Sequence, residues 1–94
     1  MKRKNKPIQQ VEFKKNSESV ILKTFGESLK RIREEKDLSQ DAVAFIAGLS
    51  RSYYAEIEQG KRNVSLINIS KIISALEVEF NRLLALNDIN KNLK

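Results

Sequence analysis

The chain has no cysteine and no histidine. The first absence excludes disulfides, thiolate nucleophiles and zinc knuckles. The second removes the usual general base and the commonest transition-metal ligand. No apolar run approaches the ~20 residues that span a bilayer. The N-terminus opens with Lys2, Arg3, Lys4 and Lys6, as a signal peptide does, but no apolar stretch follows. Paired catalytic carboxylates, a nucleophile–base arrangement and a phosphate-cradling glycine loop are also missing. The expectation is a cytoplasmic protein that is not an enzyme, with no cofactor, no metal site and no membrane partner.

The 94 residues are 40% apolar, enough for one small domain with some unburied tail. The net charge is +6, and its placement matters more than its size. Residues 1–23 carry seven basic and two acidic side chains, whereas residues 24–86 carry nine of each. The excess therefore lies at the ends, chiefly in a basic N-terminal arm. Residues 1–18 are polar, contain the only proline (Pro7) and show no sustained period, so they read as a flexible arm.

From Ser19 the pattern becomes helical. Leu22, Phe25, Leu29 and Ile32 recur at steps of three and four, which places one amphipathic helix up to about Glu35. Ser39 is a good N-cap for a second helix, Gln40–Ala47, with Asp41 favouring the positive end of its dipole and Gly48 ending it. Ser50 caps a third helix, Arg51–Gln59, that stops at Gly60. Ser65 caps a fourth, with Leu66, Ile69, Ile72, Ile73 and Leu76 as its apolar residues. A short fifth helix, about Glu79–Leu86, carries Phe80, Leu83 and Leu84. Residues 87–94 read as a frayed tail. The fold class is all-α, with five helices, short connections and no repeat.

The second and third helices are joined only by Gly48, Leu49 and Ser50. Such a tight connection is a helix-turn-helix, which sets one helix across the other and projects a face outward. At about 100° per residue, Ser50, Tyr54 and Ile57 share the core side of the third helix. Arg51, Ser52, Ala55, Glu56 and Gln59 share the other side or its flank. That outer face is polar, short and able to enter a major groove.

Leu38-Ser39-Gln40, Ala44, Gly48, Ser50, Ile57-Glu58-x-Gly60, Lys61-Arg62-Asn63 and Ala75-Leu76 together resemble the Cro-repressor-like, or XRE, helix-turn-helix family. The resemblance covers about residues 20–86. Within the family, SRSYYAEIEQGKRNVSL is similar to the controller proteins of restriction–modification systems. The resemblance implies a five-helix, lambda-repressor-like fold and binding to double-stranded DNA. It assigns Gln40 to a backbone phosphate, Arg51 and Ser52 to base reading, and Glu56 to a third reading position. Tyr53 and Gln59 match phosphate contacts at the flanks, and Lys61, Arg62 and Asn63 form the basic loop beside the duplex. The chemistry agrees: arginine bonds guanine O6 and N7 in a two-pronged fashion, and a carboxylate accepts from cytosine N4. Three features depart from the family pattern. Val64 stands where proline is common, Tyr54 where an aliphatic residue is usual, and a long basic arm precedes the first helix. They leave the operator sequence open.

Bland counterparts stand beside these assignments. Arg51, Lys61 and Arg62 are solvated charges in any other context, Tyr53 suits packing as well as phosphate contact, and Glu56 suits exclusion of wrong sequences as well as base reading. The family often joins the positions of Arg33 and Glu58 by a partly buried ion pair, which makes Glu58 a scaffold residue despite its place on the recognition helix. Family members usually dimerise, so Phe80, Leu83, Leu84 and Leu86 are the candidate interface, shared between core and two-fold. The arm is free, follows DNA, or packs Ile8, Val11 or Phe13 over Phe45 and Ile46. The leading function is a homodimeric, sequence-specific transcriptional regulator on inverted-repeat operators, within reach of the restriction–modification controllers. The alternative is a protein-interaction module, such as an antitoxin or adaptor. No separate effector domain is visible, so no small-molecule effector is expected.

Overall fold

The computed structural model describes residues 17–84. Five helices follow one another: α1 (Ser17–Glu35), α2 (Gln40–Ala47), α3 (Arg51–Glu58), α4 (Leu66–Leu76) and α5 (Phe80–Leu84). No strand occurs among the described residues. The expected boundaries hold to within one or two residues where they can be compared. The helix starts at Ser17 rather than Ser19, so Ser17 and Glu18 belong to α1 and not to the arm. The third helix ends at Glu58, with Gln59 as its cap. The remaining expectations for the arm, for Leu86 and for the tail lie outside the described residues.

Serine begins three of the helices. The hydroxyls of Ser39, Ser50 and Ser65 accept from the amides of Ala42, Tyr53 and Asn68 at 3.0, 3.2 and 3.1 Å. Each satisfies one of the amides that a helix start leaves without a partner. Ser50 was expected on the core side; its capping role turns it to solvent instead. At the other ends, Gly48 and Gly60 take φ values of +72° and +76°, the left-handed geometry that reverses the chain cheaply only without a Cβ.

The core is built from Phe25, Leu29 and Ile32 of α1, Val43, Ala44 and Ala47 of α2, and Tyr54 and Ile57 of α3. Ile72, Ala75 and Leu76 of α4 and Leu83 of α5 complete it. Helix α1 packs on α3 and α5, and α2 packs on α3 and α4. Arg82 of α5 also pairs with Glu35 of α1. Two apolar expectations change. Leu66 was placed on the buried stripe of α4 but is 67% exposed, because the core covers that helix only from its second turn. Leu83 is fully buried in the single chain and belongs to the core, which removes it from the candidate dimer surface; Phe80 remains 42% exposed.

Helix α4 ends on Glu77, at φ 55° and ψ 47°, whose amide donates to the Ile73 and Ser74 carbonyls. A side chain in this geometry costs about 1 kcal/mol, and a carboxylate opposes the negative end of the helix dipole. Glu77→Gly is therefore expected to stabilise the domain by about 1 kcal/mol, raising Tm by about 5 °C in thermal unfolding followed by circular dichroism. A lowered Tm would show that Glu77 makes a compensating contact.

Candidate nucleic-acid interface

The geometry of α3 follows from how it is anchored to α1. Gly26, in the interior of α1, lies so close to α3 that a Cβ there would stand 2.6 Å from the Ile57 carbonyl oxygen and 2.4 Å from that of Glu58. Gly60 makes the reciprocal approach, its missing Cβ falling 2.9 Å from the Cα of Lys23. The two backbones meet without intervening side chains. Gly48 and Gly60 are legible in the sequence as helix stops, whereas Gly26 marks no helix end. A glycine inside an otherwise regular amphipathic helix was the available signal.

Beside this contact lies the ion pair that the resemblance implied. Arg33 Nε donates to Glu58 Oε2 at 2.7 Å and Arg33 Nη2 to Glu58 Oε1 at 3.1 Å. The third guanidinium nitrogen, Nη1, donates to the Leu38 carbonyl at 2.8 Å, which ties the α1–α2 connection to the same point. The side chains are only 10% and 3% exposed. Burial alone would raise the Glu58 pKa, but the hydrogen bonds from Arg33 and Gln40 outweigh it and hold the carboxyl below its ordinary value. The hydrogen bond to Glu58 raises the pKa of Arg33. Tyr54 packs fully buried in the core, and burial, followed by the Glu58 carboxylate, pushes its phenol up. Glu58 is thus a scaffold residue that faces inward from α3.

With its inner side occupied by Tyr54, Ile57 and Glu58, α3 turns its first residues outward. Arg51 and Ser52 are exposed at its N-terminus, and Gln59 is exposed at its end. Lys61, Arg62 and Asn63 are exposed in the following loop. Asn63 also borders a groove against Glu18, Ile21 and Leu22 of α1. Arg51 Nε lies 3.2 Å from Asp41 Oδ1, an exposed pair that water screens and that leaves Arg51 free to move.

Four of the sequence-derived site residues, Gln40, Tyr53, Glu56 and Arg62, have partners brought to them by the fold. Gln40 Nε2 donates to Glu58 Oε1 at 2.9 Å, so Gln40 buttresses the scaffold pair from the start of α2. Glu56 Oε1 accepts from Arg62 Nε at 2.7 Å. The Arg62 guanidinium also lies over the Tyr53 ring, 5.6 Å from its centroid. Such a cation–π contact contributes about 0.5–1 kcal/mol at an exposed site. The Tyr53 hydroxyl in turn accepts from Asn68 Nδ2 at 3.1 Å. Tyr53 is half-buried, so its ring serves packing while its hydroxyl is engaged by Asn68. Asn68, on the first turn of α4, joins this face without having been singled out from sequence.

The surface is thus a polar helix N-terminus flanked by a cationic loop, on a rigid base. It has hydrogen-bond donors for phosphates and base edges, and no cluster of side chains among the described residues that could hold a metal ion. No helix among the described residues is long and apolar enough to cross a membrane.

The sequence matches a helix-turn-helix family over residues 29–83. It is 48% identical over 68 residues to the control protein C.MunI of Mycoplasma sp, covering 71% of this chain and 89% of that one. It is 48% identical over 56 residues to the control protein C.BamHI of Bacillus amyloliquefaciens, covering 58% and 69% of the two chains. Among solved structures, the restriction-modification controller protein C.AhdI from Aeromonas hydrophila superposes with a TM-score of 0.65 at 48% identity, covering 66% of this chain and 94% of that one.

Proposed function

Since the chain belongs to the helix-turn-helix family of XRE type, we propose that it is a sequence-specific, double-stranded DNA-binding transcriptional regulator that acts as a homodimer on inverted-repeat operators and controls restriction–modification genes. The observation that carries this reading is the division of α3: Tyr54, Ile57 and Glu58 are buried, while Arg51 and Ser52 project from its start beside the Lys61–Asn63 loop. The likeness to proteins named as restriction–modification controllers supports the choice of regulated genes.

In this reading Arg51 and Ser52 face base edges, and Glu56 takes a third position one turn on. Gln40, Tyr53, Gln59, Lys61, Arg62 and Asn63 position the protein on phosphates, which carry no sequence information themselves. One helix of eight residues reads few base pairs, so two copies related by a two-fold supply the length of a specific site. Phe80 on α5 is the exposed apolar residue of the expected interface. Leu84 belongs to the same helix.

Selection of binding sites from random duplex DNA, with Arg51→Ala in parallel, tests the proposal. The expected result is an enriched inverted repeat whose half-sites lie about 34 Å apart. The variant is expected to lose about 1–3 kcal/mol of discrimination for each base pair that Arg51 reads. Salt-sensitive binding without any enriched motif would overturn it. The alternative, a protein-interaction module, draws on one feature: Phe45 and Ile46 of α2 and Leu66 and Ile67 of α4 are exposed apolar side chains. An unenriched selection would shift attention to that surface.

A further inference from the structure

Glu56 puts a carboxylate on the face that is to approach a polyphosphate. Like charge there raises the free energy of every DNA complex, whatever its sequence, unless the carboxylate finds a donor. In the free protein that donor is Arg62, at 2.7 Å. Arg62 is itself a phosphate-seeking residue of the basic loop, and it is held in place from two sides. The carboxylate binds its Nε, and the Tyr53 ring, braced by Asn68, lies beneath its guanidinium. Neither charge is buried: the side chains of Arg62 and Glu56 are 53% and 39% exposed, so the pair can open.

These contacts make the two residues mutually dependent when a duplex arrives. If Arg62 keeps Glu56, one phosphate contact is forfeited. If Arg62 moves to a phosphate, Glu56 is left as an unpaired negative charge close to the DNA. Only a base that presents a donor, such as the N4 amino group of cytosine, lets both be satisfied together. Resting on the DNA-binding reading above, we propose that Glu56 is a selectivity residue acting through Arg62: it occupies the arginine as a phosphate would, and releases it at low cost only where the DNA offers Glu56 a donor. Sequence-independent affinity is thereby held down, which matters for a protein that must find few sites among many competing ones.

The test compares wild type, Glu56→Gln, Arg62→Ala and the double variant on the duplex obtained by selection and on a scrambled duplex of equal length, across a salt series. Glu56→Gln is expected to tighten binding to the scrambled duplex about tenfold at low salt and to steepen the salt dependence by about one counterion. The ratio of affinities for selected over scrambled DNA then falls about tenfold. In the Arg62→Ala background the same substitution removes a carboxylate that has no arginine to hold, so affinity for the scrambled duplex still rises, but the salt dependence is expected to stay unchanged because no arginine is released to a phosphate. An equal steepening of the salt dependence in both backgrounds would mean plain charge removal and would overturn the proposal, as would no gain in wild type. Without DNA, the Arg62 Nε–H proton resonance is expected to exchange more slowly in wild type than in Glu56→Gln; equal exchange also overturns it. A wild-type protein that binds neither duplex at low salt overturns the DNA-binding reading itself and the proposal with it, whereas a failed Glu56→Gln comparison leaves that reading intact.

Discussion

Glu58→Ala is expected to destabilise the domain by about 3–5 kcal/mol, the usual loss when one partner of a buried ion pair is removed. The Arg33 guanidinium would keep only its bond to the Leu38 carbonyl and would remain charged in a nearly water-free position. Gln40 would lose its acceptor at the same time. For a domain of this size, Tm is expected to fall by about 20 °C. Glu58→Gln, which keeps the shape and one acceptor, should fall between wild type and Glu58→Ala. Urea unfolding at neutral pH decides the matter: an unchanged midpoint in Glu58→Ala would show that Glu58 is not a scaffold residue.

The same carboxylate gives the stability an acid dependence of definite sign. The Glu58 pKa is lowered on folding, so the unfolded chain takes up its proton first as pH falls. The contribution of Glu58 is complete above the unfolded carboxyl pKa of about 4.3 and is lost progressively as pH drops through the lower folded value. Arg33 stays charged throughout, its pKa being raised further. Wild type should therefore lose stability below about pH 4.3, and Glu58→Ala should show a shallower loss in that window. Parallel acid profiles for the two proteins would contradict this origin.

Gly26→Ala is the second substitution with a large expected effect, and its sign runs against local propensity. Alanine in place of glycine in a helix interior normally stabilises by about 1 kcal/mol. Here the new methyl would meet the Ile57 and Glu58 carbonyl oxygens at 2.6 and 2.4 Å, and the Glu58 carbonyl carbon at 2.8 Å. These are backbone atoms, so no side-chain rotation relieves the clash; α1 and α3 must separate. Overpacking of this kind costs about 1–3 kcal/mol, and the displacement also strains the Arg33–Glu58 pair next to it. A net loss of about 2 kcal/mol, or about 10 °C in Tm, is expected. DNA binding should weaken as well, because α3 is the helix that moves. Gly48→Ala provides the contrast. Its Cβ meets nothing within 4 Å, so its loss comes from the left-handed φ alone, at about 1 kcal/mol. A raised Tm for Gly26→Ala would refute the close approach.

The parts of the site that were legible in the sequence are those set within a few residues along the chain. The serines at 39, 50 and 65 were recognised as caps because a hydroxyl reaches an amide three residues on. Gly48 and Gly60 were recognised as stops because a chain reversal needs a positive φ. The outward position of Arg51 and Ser52 then followed from helical periodicity, which also placed Tyr54 and Ile57 inside. The Arg33–Glu58 pair was legible only through resemblance, since its members stand 25 residues apart and no local pattern joins them.

The order, type and approximate limits of the helices, and the polar face of α3, were determined by the sequence alone, because capping and periodicity act over one or two turns. Tertiary structure decided the rest. An apolar stripe says which side of a helix is buried but not how far along it a neighbour extends; that is why Leu66 is exposed and Leu83 is enclosed. The role of Gly26 depends on another helix passing within contact distance of its backbone. Gln40 and Glu56, both assigned to DNA, acquired partners in the fold itself, Glu58 and Arg62. Which charges meet is settled by how separate helices pack, and that packing is a property of the whole chain.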